Sequence, residues 1–194
     1  MEKKHYHYKT YKPFGMLSQF TSGEARQLRK KRFLSELYPF VAGTMPIGRL
    51  DEKSEGLLLL TTDGKLADEI NGSGVEKEYY AQVDGLITEN ALEQLRTGVT
   101  IGVFGAKHYT KPCLIKAIAP PDFIPVAHQK LRIGVHRPTS WISIILTEGK
   151  FRQVRKMTAA VGFPTLRLVR IRVGTITLEN LEEGAVVPLT RPLL

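Results

Sequence analysis

Residues 48–64 read "GRLDEKSEGLLLLTTDG" and place one carboxylate, Asp51, in a polar loop between Gly48 and Gly56, ahead of four leucines. The glycines and polar run predict a tight loop, and the leucines an interior strand leaving it. A carboxylate so placed has two uses. It can accept hydrogen bonds from backbone N–H groups of its own loop, or it can act as nucleophile or base. The second use needs a cation nearby, because burial alone raises a carboxylate's pKa.

Candidate cations lie in "TEGKFRQVRKMTAAVGF" (residues 147–163). At about 100° per residue, Val154, Met157 and Val161 fall within roughly 60° of arc, and Arg152, Arg155 and Lys156 lie roughly opposite. This pattern predicts a helix with one core face and one basic face, and the basic face can equally be solvated. "EKEYYAQVDG" alternates, so Tyr79, Ala81 and Val83 share an apolar strand face while Tyr80, Gln82 and Asp84 share the other. Tyr79 is then either a core tyrosine or an aromatic platform for a base.

Other chemistry is poorly represented. His5 and His7 have no third histidine or carboxylate close in sequence, so no metal site is expected. Phosphate-binding loop, dinucleotide fingerprint and serine elbow are all missing, and neither ATP nor NAD chemistry is indicated. The single cysteine, Cys113, excludes an internal disulfide and reads as a small buried hydrophobe.

The elements that must position these residues are mostly strands. "MLSQF", "GLLLLT", "YYAQVDG", "KPCLIKAI", "SWISIILT" and "TLRLVRIRVG" are short, rich in β-formers and bounded by Gly, Pro or Asp. Four helices are predicted. "EARQLRKKRFLSELY" carries Leu28, Leu34 and Leu37 and stops at Pro39, "DGKLADEI" begins at an Asp63 cap, and "TENALEQLRTG" runs from Thr88 to Gly98. The fourth is the basic "FRQVRKMTAAVG". Strands and helices alternate without a repeated spacing, which predicts an α+β protein on a mainly antiparallel sheet.

The chain has 194 residues, with 28 Lys and Arg against 19 Asp and Glu, for a formal charge of +9. That surplus suits a polyanionic partner. Five basic residues fall in "RQLRKKR" (26–32), and seven lie from Lys150 to Arg172 with no acid among them. The first cluster fits either contact with a polyanion or a solvated helix face. The second is interleaved with apolar residues and so belongs to folded elements. "MEKKHYHYKTYK" lacks the apolar core of a secretory signal, and no apolar run approaches the roughly 18 residues of a membrane helix. A soluble cytoplasmic protein is expected.

Taken in order, these segments resemble the pseudouridine synthases of the RsuA branch over nearly the whole chain. "YKPFGMLSQF" resembles that branch's Lys-Pro-x-Gly strand, "GRLDEKSEGLLLLTTDG" its Gly-Arg-Leu-Asp loop, and "KEYYAQVDG" its Lys-x-Tyr strand. "EGKFRQVRKM" with "VGFPTLRLVRIRVG" resembles its C-terminal basic motif. Within the branch the resemblance is nearest to the RluE type, which modifies large-subunit ribosomal RNA, through "PTSW" and "GFPTLRL". Phe151 stands where that motif commonly has Asn, and Lys156 where it usually has Arg.

The resemblance implies a pseudouridine-synthase fold: a mainly antiparallel mixed sheet in two packed halves flanked by helices, with the active-site cleft between them. It implies one catalytic domain over 1–194, and no helical RNA-binding domain ahead of a Lys-Pro-x-Gly strand that begins so early. It also implies large-subunit (23S) ribosomal RNA as partner, no membrane, a monomer and no cofactor. Asp51 becomes the essential carboxylate, either adding to the anomeric carbon or drawing a ribose proton to give a glycal.

Arg155 is expected to hold Asp51 anionic, and Tyr79 to stack on the uracil and assist loss of its C5 proton. Arg49 is expected to brace the RNA with the uridine flipped out, Leu166 to close the apolar side of the pocket, and Arg152, Lys156 and the remaining downstream basic residues to face RNA. Three rivals remain at this point. They are a silent RNA-binding or ribosome-assembly module, a synthase acting on another RNA such as tRNA, and a glycoside hydrolase, which usually needs a second positioned acid. Loss of Asp51, Tyr79 or Arg155 would mark the first, and all three are present.

Overall fold

The run Leu57–Leu60 becomes the most deeply covered strand of the chain, each leucine at most 1% exposed. In the computed structural model, which describes residues 4–72, 74–135 and 137–190, the chain divides into two compact units. One comprises residues 1–75 and 170–194, the other 76–169.

The elements in chain order are β1 (His7–Lys12), α1 (Ala25–Lys30), β2 (Met45–Ile47), β3 (Glu55–Thr61), α2 (Gly64–Gly72), β4 (Lys77–Asp84), α3 (Glu89–Thr97) and β5 (Thr100–Val103). They continue as β6 (Ala106–Tyr109), β7 (Leu114–Ile118), β8 (Thr139–Leu146), α4 (Gln153–Ala160), β9 (Thr165–Val173), β10 (Ile176–Thr177) and β11 (Val186–Leu189). Few helices and antiparallel ladders make this an α+β fold, as expected.

In the first unit β1 lies between β11 and β3, and β2 adds to β3. The register Tyr8↔Leu60, Thr10↔Leu58, Lys12↔Gly56 draws Lys12 to the start of β3, directly after the Asp51 loop. All seven residues of β3 are buried. α2 follows at once, its first turn capped by Asp63 Oδ1, which accepts from the Lys65 and Leu66 N–H groups at 3.0 and 3.2 Å.

Two local expectations fail here. "MLSQF" forms no strand; Met16 makes an isolated bridge to Arg32. That bridge also interrupts the long helix expected over 24–38, leaving six residues of α1 and a short 3₁₀ turn at Leu34–Glu36. Leu28 is consequently exposed, while Leu34 is buried.

In the second unit β8 lies between β4 and β7, with β5 and β6 as a separate hairpin. Ala81, Val83, Leu92, Leu95, Ile142, Ile144, Val154, Met157 and Leu168 form its core, and Tyr79 packs against it. Cys113 is buried in the same core, and burial pushes its thiol up to about 11. α3 begins at Thr88, whose hydroxyl accepts from the Ala91 N–H, and ends at Gly98.

Gly98 has φ +119°, and a Cβ there would stand 2.5 Å from the Thr110 carbonyl oxygen. Gly98→Ala combines a disfavoured backbone conformation with a backbone clash, and is expected to destabilise the chain by about 2 kcal/mol or more in urea denaturation.

Candidate active site

The loop carrying Asp51 is built from its two neighbours. Ser18 Oγ donates to the Leu50 carbonyl at 2.8 Å and accepts from the Leu50 N–H at 3.0 Å, both buried. On the other side the Gly15 N–H donates to the Glu52 carbonyl at 2.8 Å. Asp51 therefore sits between two residues whose backbones are fixed to the chain just after β1.

The Ser54 N–H closes a turn onto the Asp51 carbonyl at 3.0 Å. Gly48, φ +67°, opens the loop where a Cβ would lie 2.9 Å from Asn71 Oδ1. Asp51 itself is half-buried, and Arg49 two residues earlier is exposed. The Glu52 carboxylate receives Lys31 Nζ at 2.8 Å on each oxygen, so one lysine of the 26–32 basic cluster braces this loop.

Close to the loop lies a buried amine, that of the lysine in the Lys-Pro-x-Gly strand. Lys12 is fully buried, and its amine donates to the Pro13 and Met16 carbonyls at 2.8 and 2.6 Å. Burial pulls its pKa from 10.5 down to about 7, and Arg170 adds to that fall. Glu55, Glu52 and Asp51 oppose it. Glu55 and Arg170 are each 2% exposed, and Arg170 Nε donates to the Leu57 carbonyl at 2.8 Å. The signal that could have found Lys12 is its alternation with Tyr8 and Thr10, which puts an amine on the buried face of β1.

The second unit holds the remaining candidates. Tyr79 lies on β4 opposite Ile144 of β8, half-buried against the core, on the face that its alternation predicts. The other face of β4 carries Asp84, paired with Arg137 at 3.0 Å, and Gln82, which donates to Thr139 Oγ1 at 2.8 Å.

Arg155 is on α4, half-buried, and its Nη1 donates to the Thr165 carbonyl at 3.2 Å. This brings it beside the first residues of β9, where Leu166 is also half-buried. Arg152 stands just before α4 with φ +54°, exposed, and so off the helix face on which periodicity placed it. Lys156 Nζ donates to the Gly102 carbonyl at 2.7 Å.

The downstream basic residues are not all available to RNA. Arg167 and Arg170 are 4% and 2% exposed, because this part of β9 is covered on both faces. Arg172 Nη1 donates to the Gly174 carbonyl at 2.8 Å. Among the described residues no cluster of His, Cys, Asp and Glu could hold a metal ion, and no helix is long and apolar enough to cross a membrane.

Lys12 gives this site a pH signature. Between about 7 and 10.5 the unfolded chain binds a proton on Lys12 that the folded chain does not, so folded stability rises with pH across that window. This group contributes up to about 1.4 kcal/mol per pH unit. Lys12→Met abolishes the contribution. The stability gap between the parent and the variant, read from urea curves, should widen in the parent's favour from neutral to alkaline pH. An equal gap at both ends would contradict the assignment.

The profile of the family described as RNA pseudouridylate synthase matches residues 6–160. The chain is 42% identical over 175 residues to ribosomal large subunit pseudouridine synthase E of Vibrio parahaemolyticus, covering 89% of this chain and 69% of that one. It is 38% identical over 172 residues to the protein of the same name from Xanthomonas axonopodis pv. citri, covering 88% and 86%. A crystal structure of a pseudouridylate synthase superposes with a TM-score of 0.74 at 27% identity, over 97% of this chain and 72% of that one.

Proposed function

The chain belongs to the RNA pseudouridylate synthase family, and on that premise we propose that it isomerises a specific uridine of large-subunit ribosomal RNA, as a cofactor-free monomer with Asp51 as nucleophile. The reaction breaks the bond from the ribose anomeric carbon to uracil N1, turns the base and rejoins it through C5. C5 loses a proton and N1 gains one. The protein need therefore supply a carboxylate, proton handling and a grip on RNA.

The observation that carries this reading is the double anchoring of Asp51. Leu50 is tied through Ser18 and Glu52 through Gly15, so the carboxylate keeps its place while a flipped nucleotide is brought to it. Attack on the anomeric carbon gives a covalent ribosyl ester, and abstraction of a ribose proton gives a glycal. Both routes begin at this carboxylate. The choice of large-subunit RNA follows from the relatives bearing that name, which align along 88–89% of the chain.

The other roles rest on the resemblance of the sequence motifs. Arg155 keeps Asp51 anionic, and Tyr79 stacks on the uracil with its hydroxyl directed to removal of the C5 proton. Arg49 braces the RNA behind the flipped nucleotide, Leu166 closes the apolar side of the base pocket, and Arg152 and Lys156 hold phosphates.

Two measurements test the assignment. With ribosomal RNA tritiated at uracil C5, Asp51→Asn should abolish tritium release while RNA binding stays within about twofold of the parent; retained turnover would remove Asp51 from the chemistry. Arg155→Ala should lower kcat for tritium release about tenfold or more while RNA binding stays within about twofold of the parent. An unchanged kcat would remove Arg155 from the chemistry.

A further inference from the structure

The β5–β6 hairpin turns through two residues, Phe104 with φ +48° and Gly105 with φ +84°. Positive φ at both positions is the hairpin geometry ordinarily filled by Asn, Asp or Gly, and a bulky aromatic there is an outlier. Phe104 is also 86% exposed, so burial of its own ring does not explain its presence.

It does not stand alone. Its ring stacks on that of Phe151, with centroids 5.4 Å apart and planes 25° from parallel, and Phe151 is itself 51% exposed. Lys156 Nζ lies 4.9 Å from the Phe151 centroid and is held by its bond to the Gly102 carbonyl. Two near-parallel rings in water, with a fixed ammonium over one, form a stacking surface.

We propose that Phe104 and Phe151 form a platform on which an unpaired nucleobase of the RNA substrate, other than the target uridine, stacks. The inference rests on the RNA-modifying activity proposed above and adds a second point of contact to it. Charge favours this occupant. Lys107 on β6, and Lys150 and Arg152 before α4, are exposed cations close in sequence to the two rings.

The acid of the same region is already engaged. Glu148 accepts from His108 at 3.1 Å, the Lys111 N–H at 2.9 Å and Gln153 Nε2 at 2.6 Å. A base on the platform would therefore carry its phosphates among cations, whereas a second copy of a chain with charge +9 would bring like charges together. Stacking of this kind tolerates any base, so it strengthens binding without selecting the site.

The turn supplies a discriminating variant. Phe104→Asn relieves the backbone and should raise the thermal midpoint, while removing the ring. With large-subunit ribosomal RNA it should raise KM for tritium release about fivefold or more at unchanged kcat, as should Phe151→Ala. Phe104→Trp should restore KM, and its indole should be quenched by a single-stranded oligouridylate, against the buried Trp141 as the sole other indole.

KM within twofold of the parent in both Phe104→Asn and Phe151→Ala, or failure of Phe104→Trp to restore it, overturns the platform. So does a dimer in the parent that Phe104→Asn abolishes with RNA kinetics unchanged. Quenching of Phe104→Trp by oligouridylate in a chain that releases no tritium supports the platform and overturns only the proposed activity. Turnover without quenching overturns only the platform.

Discussion

A lysine amine with no access to water governs the geometry of the Asp51 loop. Two carbonyls, of Pro13 and Met16, converge on Lys12 Nζ at hydrogen-bond distance. A neutral amine has two N–H donors to give them, and burial moves Lys12 toward that state near neutral pH. Satisfying these carbonyls lets the chain bend sharply after β1 without orphaned backbone groups. The bend then presents the Gly15 N–H and the Ser18 hydroxyl, the two groups that hold Glu52 and Leu50. The position of Asp51 thus depends on a side chain that never reaches the surface.

How much of this was legible in the sequence varied with the range of the interaction. β3, α2 and α3 were readable because a leucine run, an Asp63 cap and a Thr88 cap are local signals that tertiary packing reinforces. The helix expected over 24–38 was not, because it is ended by a bridge between Arg32 and Met16, sixteen positions away, which no local periodicity reports. The Asp51 loop was legible as a loop, since Gly48 and Gly56 both adopt positive φ. Its anchor was less so. Ser18 and Lys12 are residue types that ordinarily face water; the alternation of β1 places Lys12 on its buried face, but no local signal reports the bonds between Ser18 and Leu50.

The charge pattern misleads for a related reason. Composition counts Arg167 and Arg170 with the cations that would meet RNA, yet both are buried. A guanidinium can be placed under a strand because its planar donors serve carbonyls, as Arg170 Nε serves Leu57. Lys31 is likewise committed to Glu52, and Arg96 lies beside Glu89 and Glu93. The cations with water on them, among them Arg26, Arg29, Lys30, Arg49, Lys107, Lys150 and Arg152, are fewer than the formal count implies. Those exposed groups set the salt dependence of binding, because only they can displace counterions from a polyanion.

Anchoring and stacking place opposite demands on the backbone. At Asp51 the backbone groups on either side are satisfied, which suits the role proposed for its carboxylate, that of meeting one atom of the sugar at a fixed distance. At Phe104 the backbone takes a conformation its side chain disfavours, on a two-residue turn at the end of a short hairpin. A platform needs only a flat apolar face, and the angular tolerance of stacking is wide, so strain there costs little in function. On the proposed function, bringing one uridine to Asp51 gains from exactness at the carboxylate and from tolerance at a flanking base. The first would narrow the chemistry, and the second would hold a neighbouring nucleotide whose identity the chemistry ignores.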